Sequence, residues 1–381
     1  MLRKKSTLFF LATCFLSLLI FEVVHVESKL FSTKKFARRQ IKKCRQILRG
    51  QLGSAKDKHN VTFICPKQLE DIPFADSSFV LAVKSVPIRN VYAPYNPSII
   101  ENGDHYLLLF RYDTVLQMFL NSFKTNIGCI ELNRNLEQTE KEYKTIATDS
   151  DSSEDPRILK LNDKICLIYN DLDKKGFYCR TMRAAGLDVE NGKATDIKIL
   201  DPSWKRIEKN WVPFVHNDEL HFEYTISQPR TILKLTETPL EKLQETFPQR
   251  ELKWERTWGP LRGGTPARLI DGEYLAFFHS SFQSKLGQWW YVLGAYTFES
   301  KPPFKITKIS PYPILFKGIY DTALLNTAQP GKFVIFPGGY AVERREGNTL
   351  LHLACGENDS NIKIITLNKD LLLKSLEPVS E

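Results

Sequence analysis

The sequence predicts an all-β fold, a five-bladed β-propeller, preceded by an N-terminal hydrophobic targeting or anchor segment and a basic stalk. Three observations predict it. A hairpin phrase recurs along the chain. The prolines that open each copy are spaced almost evenly. And 24 Phe and 14 Tyr accompany little helical periodicity, as strands prefer aromatic side chains.

The phrase is a proline, a short apolar strand, an Asn/Asp/Gly turn and a second apolar strand. It reads "NPSIIENGDHYLLLFR" from Asn96, "DPRILKLNDKICLIYN" from Asp155, "VPFVHNDELHFEYT" from Val212 and "TPARLIDGEYLAFFHS" from Thr265. A looser copy, "FPGGYAVERREGNTLLHLACG", starts at Phe336. Asn-Gly, Asn-Asp and Asp-Gly pairs between apolar runs are hairpin turn chemistry. Pro97, Pro156, Pro213, Pro266 and Pro337 are 59, 57, 53 and 71 residues apart. A four-stranded blade takes about 40–50 residues in common propellers, so slightly larger blades fit this spacing. The plainer alternative is a β-sandwich with coincidental hairpins; the equivalent placement of the prolines argues against it. Radial repetition makes the starts of equivalent strands converge around one axis. Asn96, Asp155, Pro213, Thr265 and Pro337 are then equivalent, and Asp155 points into a funnel.

The repeats place the propeller at 86–381, after a stalk or linker at 29–85 and a signal peptide or signal anchor at 1–28. The C-terminal "SNIKIITLNKDLLLKSL" predicts a closing strand and a short helix. Leu8–Phe21 is an apolar run of 14 residues behind Arg3, Lys4 and Lys5, long for a signal-peptide core and short for a membrane span. Either a cleaved signal or an uncleaved single-pass anchor fits, with the body outside the cytosol in both cases. The net charge is +9, but Lys29–Lys58 alone holds eleven Lys/Arg against Asp57. The remainder is close to neutral, which argues against nucleic acid as a partner and for anionic lipid headgroups beside the stalk. Six cysteines follow the apolar run, Cys44, Cys65, Cys129, Cys166, Cys179 and Cys355, enough for up to three disulfides in an exported body. Asn60-Val-Thr and Asn358-Asp-Ser are glycosylation sequons. No Cys/His cluster with metal-ligand spacing, GxSxG, HExxH or GxGxxG signature occurs, so neither a metal nor a cofactor is expected.

Asp155, in "EDPRI", is the first candidate for an acid. Burial in a partly dry funnel would raise its pKa and keep a proton available. Arg157, two residues on, should emerge on the same face of an extended segment; the plain alternative is a turn carboxylate paired with that arginine. Arg111, Arg180, Lys209, Arg262 and His279 all lie in or beside repeats. Several cations on converging strands suit a phosphate or another anion. The glycines of "RGGTP" could bring backbone amides to a ligand. Trp211, Tyr224, Trp289 and Trp290 could stack on sugar faces, or simply be core.

At these residues the sequence resembles glycoside hydrolase family 130, the mannoside phosphorylases and mannosidases, and the related phosphorylase-like mannosyltransferases. The matching phrases are "NPSIIENGDHYLLLFR", "EDPRI", "EKNWVPF", "GGTPA" with a following histidine, and "GENDSNIKI", across roughly Tyr92 to Leu367. The resemblance implies a five-bladed propeller. It implies that Asp155 is the proton donor, that Asn96, Arg111 and Asp359 hold the sugar, and that Arg180, Lys209 and His279 hold phosphate. Trp211 joins the substrate-binding candidates on its aromatic character alone. The N-terminal segment, the stalk and "FRYDT" after the first repeat depart from the family pattern.

An inverting phosphorylase needs one carboxylic acid, because phosphate itself is the nucleophile; a hydrolase needs a second carboxylate to activate water. One acid among several cations favours phosphorolysis of β-mannosides with inorganic phosphate as co-substrate, or its reverse, sugar transfer from a sugar phosphate. Glu154, Glu208, Glu223 and Glu357 keep hydrolysis as the runner-up. A catalytically silent glycan-binding propeller is the alternative of another class. The expected partner is an oligosaccharide or glycoconjugate.

Overall fold

The repeated phrases become hairpins. A computed structural model of the protein describes residues 66–91, 93–113, 124–150, 152–172, 179–200, 204–227, 229–236, 241–245, 252–322 and 332–379. Strand β1 (Val80–Ser85) comes first. The first blade is β2 (Tyr95–Asn102), β3 (His105–Tyr112), β4 (Asn126–Leu132) and β5 (Lys144–Thr145). The second is β6 (Glu154–Leu161), β7 (Lys164–Leu172), β8 (Arg180–Asp188) and β9 (Lys193–Leu200). The third is β10 (Val212–His216), β11 (Glu219–Thr225), β12 (Thr231–Lys234) and β13 (Glu241–Glu245).

A broader sheet follows: β14 (Arg262–Gly263), β15 (Arg268–Ile270), β16 (Glu273–Gln283), β17 (Trp289–Glu299), β18 (Ile306–Ile309) and β19 (Lys332–Phe333). The last sheet is β20 (Ile335–Arg345), β21 (Asn348–Glu357) and β22 (Asn361–Asn368). Its outer edge is β1, antiparallel to β22 with Val83 opposite Ile365, so Val80–Ser85, within the span assigned to the stalk, joins the sheet of the chain's end. A short helix, Lys369–Ser375, follows β22 and is capped by the Asn368 side chain. Strand β23 (Glu377–Pro378) then pairs with β18.

The architecture is all-β and propeller-like, but not the expected five equivalent blades. Four sheets are four-stranded blades, and the β14–β19 sheet has seven strands once β23 is included. The difference has a local cause. The innermost strand breaks after Gly263, at Gly264, leaving β14 and β15 as separate pieces that both pair with β16. The β16–β17 hairpin runs eleven residues per strand, and β18 covers only the part of β17 near Tyr296–Phe298. The other end of β17 is left for β19, which lies parallel to Trp289 and Trp290.

Two-residue turns close the hairpins as their chemistry predicts. Asn162-Asp163, Asn217-Asp218 and Asp271-Gly272 all have φ between 49° and 88°, the left-handed pair that a type I′ turn requires. The core lies between the sheets. One cluster joins Leu108 and Phe110 of β3 to Ala354 and Ile364, a second joins Leu107 and Leu109 to Leu167 and Tyr169, and a third joins Ile168 and Met182 to Trp211 and Phe222. Because blades pack on both faces, Tyr106–Phe110 is a continuous buried run rather than an alternating one.

Several expectations fall outside the described residues: the apolar run, most of the basic stalk, Cys44, Cys65 and Asn60. Among the described residues no helix is long and apolar enough to cross a membrane. Cys129, Cys166, Cys179 and Cys355 are free, so three disulfides cannot form in this fold. Asn358 is no glycan acceptor here either. It is fully buried, accepts from the Val334 amide at 3.0 Å and donates to the Thr322 carbonyl at 2.9 Å.

Candidate active site

The Asn-Pro and Asp-Pro dipeptides share one backbone device. In the first blade the register passes from Tyr95 opposite Arg111 to Ser98 opposite Leu109. In the second it passes from Glu154 opposite Asn170 to Arg157 opposite Ile168. Each is a β-bulge, with two residues facing one. Asn96 (φ 46°) and Asp155 (φ 52°) take its left-handed position, which Asn and Asp tolerate best, and a proline follows where no ladder amide is needed. The two bulges bring these side chains together: Asn96 Nδ2 donates to Asp155 Oδ1 at 2.7 Å. The close fit depends on Gly356, where a Cβ would lie 2.5 Å from the Asn96 amide nitrogen and 2.6 Å from its Oδ1.

Arg111 spans both acids of "EDPRI". It reaches Glu154 Oε1 at 2.8 Å and Asp155 Oδ1 at 3.3 Å, and its guanidinium lies over the Tyr95 ring at 4.8 Å. Arg180 holds the same Glu154 oxygen at 2.5 Å and also reaches Asn170 Oδ1 at 2.9 Å. Asp155 Oδ2 has no hydrogen-bond partner among the described residues.

The electrostatics correct the sequence-based expectation for Asp155. Burial does push its pKa up, but Arg111, the Asn96 amide, Arg157 and Lys209 outweigh burial and hold it below the usual carboxylate value. The acid whose pKa burial raises is its neighbour Glu154, despite Arg111 and Arg180. Without ligand, Asp155 is therefore a carboxylate at neutral pH.

Arg157 is also placed differently from expectation. It is fully buried and donates to the carbonyls of Gly264 at 2.5 Å, Gly263 at 3.2 Å and Asp155 at 3.3 Å. Burial lowers its pKa to about 10, against the pull of Asp155. The "RGGTP" glycines thus receive the second blade's arginine rather than a ligand. Their missing Cβ atoms leave room for the Asn210 carbonyl, 2.2 Å from the Gly263 position, and the Phe277 carbonyl, 2.5 Å from that of Gly264.

His279 is buried, on β16 opposite Arg262 of β14. Its ring lies 4.8 Å from Phe336 and stacks 6.0 Å from Tyr291. Burial, then Arg262, Arg157 and Lys209, hold its pKa well below the ordinary histidine value, against Asp155, so it is neutral. Its Nδ1 is buried without a partner. Lys209 is exposed, and its charge acts on Glu154, Asp155 and His279 together. Asp359 is ion-paired with Lys332 at 2.8 Å, and the Lys332 ammonium lies 5.1 Å over Tyr291.

Trp211 is not a stacking platform beside Asp155. It is fully buried between Phe222 and Tyr224, with its indole nitrogen 3.4 Å from Glu208. Tyr224 and Trp290 are likewise core, whereas Trp289 is 41% exposed. The remaining candidate carboxylates are tied into the scaffold. Glu208 accepts from Tyr224 and the Lys205 amide. Glu223 pairs with Arg230 at 2.6 Å and with the Tyr296 hydroxyl. Glu357 accepts from the Tyr320 amide at 2.7 Å and pairs with Lys363 at 2.9 Å.

Sequence reasoning left Asp113, Tyr291 and Lys332 unassigned. Asp113 accepts from Tyr95 at 3.0 Å, and its pKa is raised by burial against the pull of Arg111. Its signal was "FRYDT", noted only as a departure. Lys332 sits on β19, outside every repeated phrase, and carried no signal.

No family model matches the sequence, and no curated protein matches it. Solved structures do resemble the fold. A glycoside hydrolase described as putative, from Parabacteroides distasonis, is 13% identical with a TM-score of 0.54, over 77% of this chain and 94% of that one. The β-1,2-mannobiose phosphorylase of Listeria innocua, in complex with β-1,2-mannobiose, is 14% identical with a TM-score of 0.51, over 79% and 97%. A structure described under the GH130 family of mannoside phosphorylases, containing hydrolases that target β-1,2 mannosidic linkages in Candida mannan, is 11% identical with a TM-score of 0.53, over 78% and 96%. At these identities the likeness is one of fold.

Proposed function

We propose that the protein is a carbohydrate-active enzyme that forms or cleaves β-mannosidic bonds with inversion, using a sugar phosphate or inorganic phosphate. The observation that carries this reading is Asp155, a carboxylate whose Oδ2 has no partner among the described residues and which feels Arg111, Arg157 and Lys209, while Glu208, Glu223 and Glu357 are committed to the scaffold. Asp113 Oδ1 is also unpartnered, but Asp113 is tied to the Tyr95 hydroxyl. Hydrolysis needs a second carboxylate to activate water, and Glu154 is held by two arginines.

In the transfer direction the ionised Asp155 is the general base. It takes the proton of an acceptor hydroxyl as that oxygen attacks the anomeric carbon and the C–O bond to phosphate breaks. In phosphorolysis the same group, now protonated, gives its proton to the glycosidic oxygen as phosphate attacks from the opposite face. The low Asp155 pKa of the unliganded site matches the first role directly. For the second, substrate must exclude water and an anion must offset Lys209, both of which raise that pKa. Asn96, Arg111 and Asp359 are assigned to the sugar. The N-terminal apolar run supports a body outside the cytosol, anchored or secreted, and sequencing the mature N-terminus tests which.

The deciding experiment incubates the purified protein with β-mannosides with and without phosphate. The proposal expects sugar 1-phosphate only when phosphate is present. Equal sugar release without phosphate would establish the hydrolase, and binding of oligomannose without turnover of any glycoside would establish the silent glycan-binding propeller.

A further inference from the structure

The resemblance assigns phosphate to Arg180, Lys209 and His279, but Arg180 is already occupied. Besides Glu154 and Asn170, its guanidinium reaches the Ser152 carbonyl at 3.1 Å and the Ser152 hydroxyl at 3.3 Å. Its orientation is therefore dictated by the second blade. Releasing it to a ligand would leave Glu154 to Arg111 alone.

Arg262 is in the opposite condition. It is partly buried on β14 and has no carboxylate or hydrogen-bond acceptor among the described residues. Directly across the ladder is His279, itself 2% exposed with Nδ1 unpartnered. A buried imidazole nitrogen without a partner is costly unless something fills the gap, and the side chain of the residue beside it, Arg262, makes no hydrogen bond among the described residues. Both groups can donate hydrogen bonds, and the third nearby group, Lys209, is also a donor, so what fits them is an acceptor with several oxygens and negative charge. Backbone pairing fixes Arg262 against His279, and the Gly263 contact with Asn210 holds β14 against the segment that carries Lys209. These donors are therefore pre-positioned rather than gathered by the ligand.

We propose that the anion seat is formed by Arg262, His279 and Lys209, with Arg262 as its principal cation, and that Arg180 positions Glu154 instead of touching the anion. This rests on the reading of the site as phosphate-using. The planar guanidinium can offer two parallel N–H groups to one phosphate edge, while the neutral imidazole donates a third hydrogen bond. The seat then takes inorganic phosphate in one direction and the phosphoryl group of a sugar phosphate in the other.

The test measures the phosphate KM, the β-mannoside KM and kcat for wild type, Arg262→Gln, Arg262→Lys and Arg180→Gln, with melting temperatures as a folding control. A charge-assisted contact supports a rise in phosphate KM of about 10- to 100-fold for Arg262→Gln, with the mannoside KM unchanged. Arg262→Lys should recover part of the loss, and Arg180→Gln should leave the phosphate KM within about threefold while kcat falls. A phosphate KM that rises in Arg180→Gln but not in Arg262→Gln overturns the assignment. Should Arg262→Gln not fold, the phosphate KM of Arg262→Lys alone decides, and a wild-type value overturns it. If wild-type turnover never depends on phosphate, the phosphorolytic reading itself fails, which is distinct from a phosphate-dependent enzyme indifferent to Arg262.

Discussion

Replacing Gly356 by alanine tests the geometry that seats Asn96 against Asp155. Gly356 is on β21, and the added Cβ would lie 2.5 Å from the Asn96 nitrogen, 2.6 Å from its Oδ1 and 3.1 Å from its Cα. Two of these are well inside van der Waals contact, and one partner is backbone held in a bulge. One strand or the other must move by several tenths of an ångström. Inserting a methyl into a packed site of this kind costs about 1–3 kcal/mol. With about 2–4 °C lost per kcal/mol in domains of 150–250 residues, the melting temperature should fall by roughly 2–12 °C. The displacement is passed to the 2.7 Å bond between Asn96 and Asp155. A misplacement of about 1 Å at a reacting group can cost about 10²-fold in rate, so a smaller shift should reduce kcat by roughly tenfold. Differential scanning calorimetry and phosphate-dependent sugar release measure the two effects separately. Wild-type melting would refute the packing argument. A lowered melting temperature with wild-type kcat would refute the role given to the Asn96–Asp155 contact.

Asp155→Asn keeps the size of the side chain but neither accepts nor donates the catalytic proton; turnover should fall by about 10²–10⁴-fold with the fold intact by circular dichroism. Arg157→Ala removes the donor to the Gly263 and Gly264 carbonyls and leaves a cavity between blades, so urea denaturation should show a loss of roughly 2–5 kcal/mol. The pH dependence of stability should carry the signature of His279. Its folded pKa is depressed, so below the unfolded value of 6.5 the unfolded chain binds a proton that the folded one does not. Its contribution is complete above that value and is lost as pH falls toward the folded pKa, at up to about 1.4 kcal/mol per pH unit. His279→Gln should therefore show a shallower loss of stability from pH 6.5 to 5 than wild type, and parallel curves would contradict the burial of a neutral imidazole.

The strands and turns were legible in the sequence because their causes are local. Asn162-Asp163 and Asp271-Gly272 favour left-handed turns, and the proline-led phrases mark the bulges that hold Asn96 and Asp155. Asp155, Arg111, Lys209, Arg262 and His279 could be listed as one neighbourhood because a repeat converts sequence equivalence into convergence on an axis. Charge state and partnership were not legible, since both depend on residues distant along the chain. Asp155 is an ionised carboxylate because Arg111 and Asn96, from another blade, outweigh its burial. Arg157 is a buried latch because Gly263 and Gly264 arrive from the β14–β19 sheet. Trp211 is core because Phe222 and Tyr224 close over it. Arg180 and Arg262 look alike as letters beside repeats. Only tertiary packing, which surrounds one with oxygen acceptors and sets the other beside an unpartnered histidine, tells them apart.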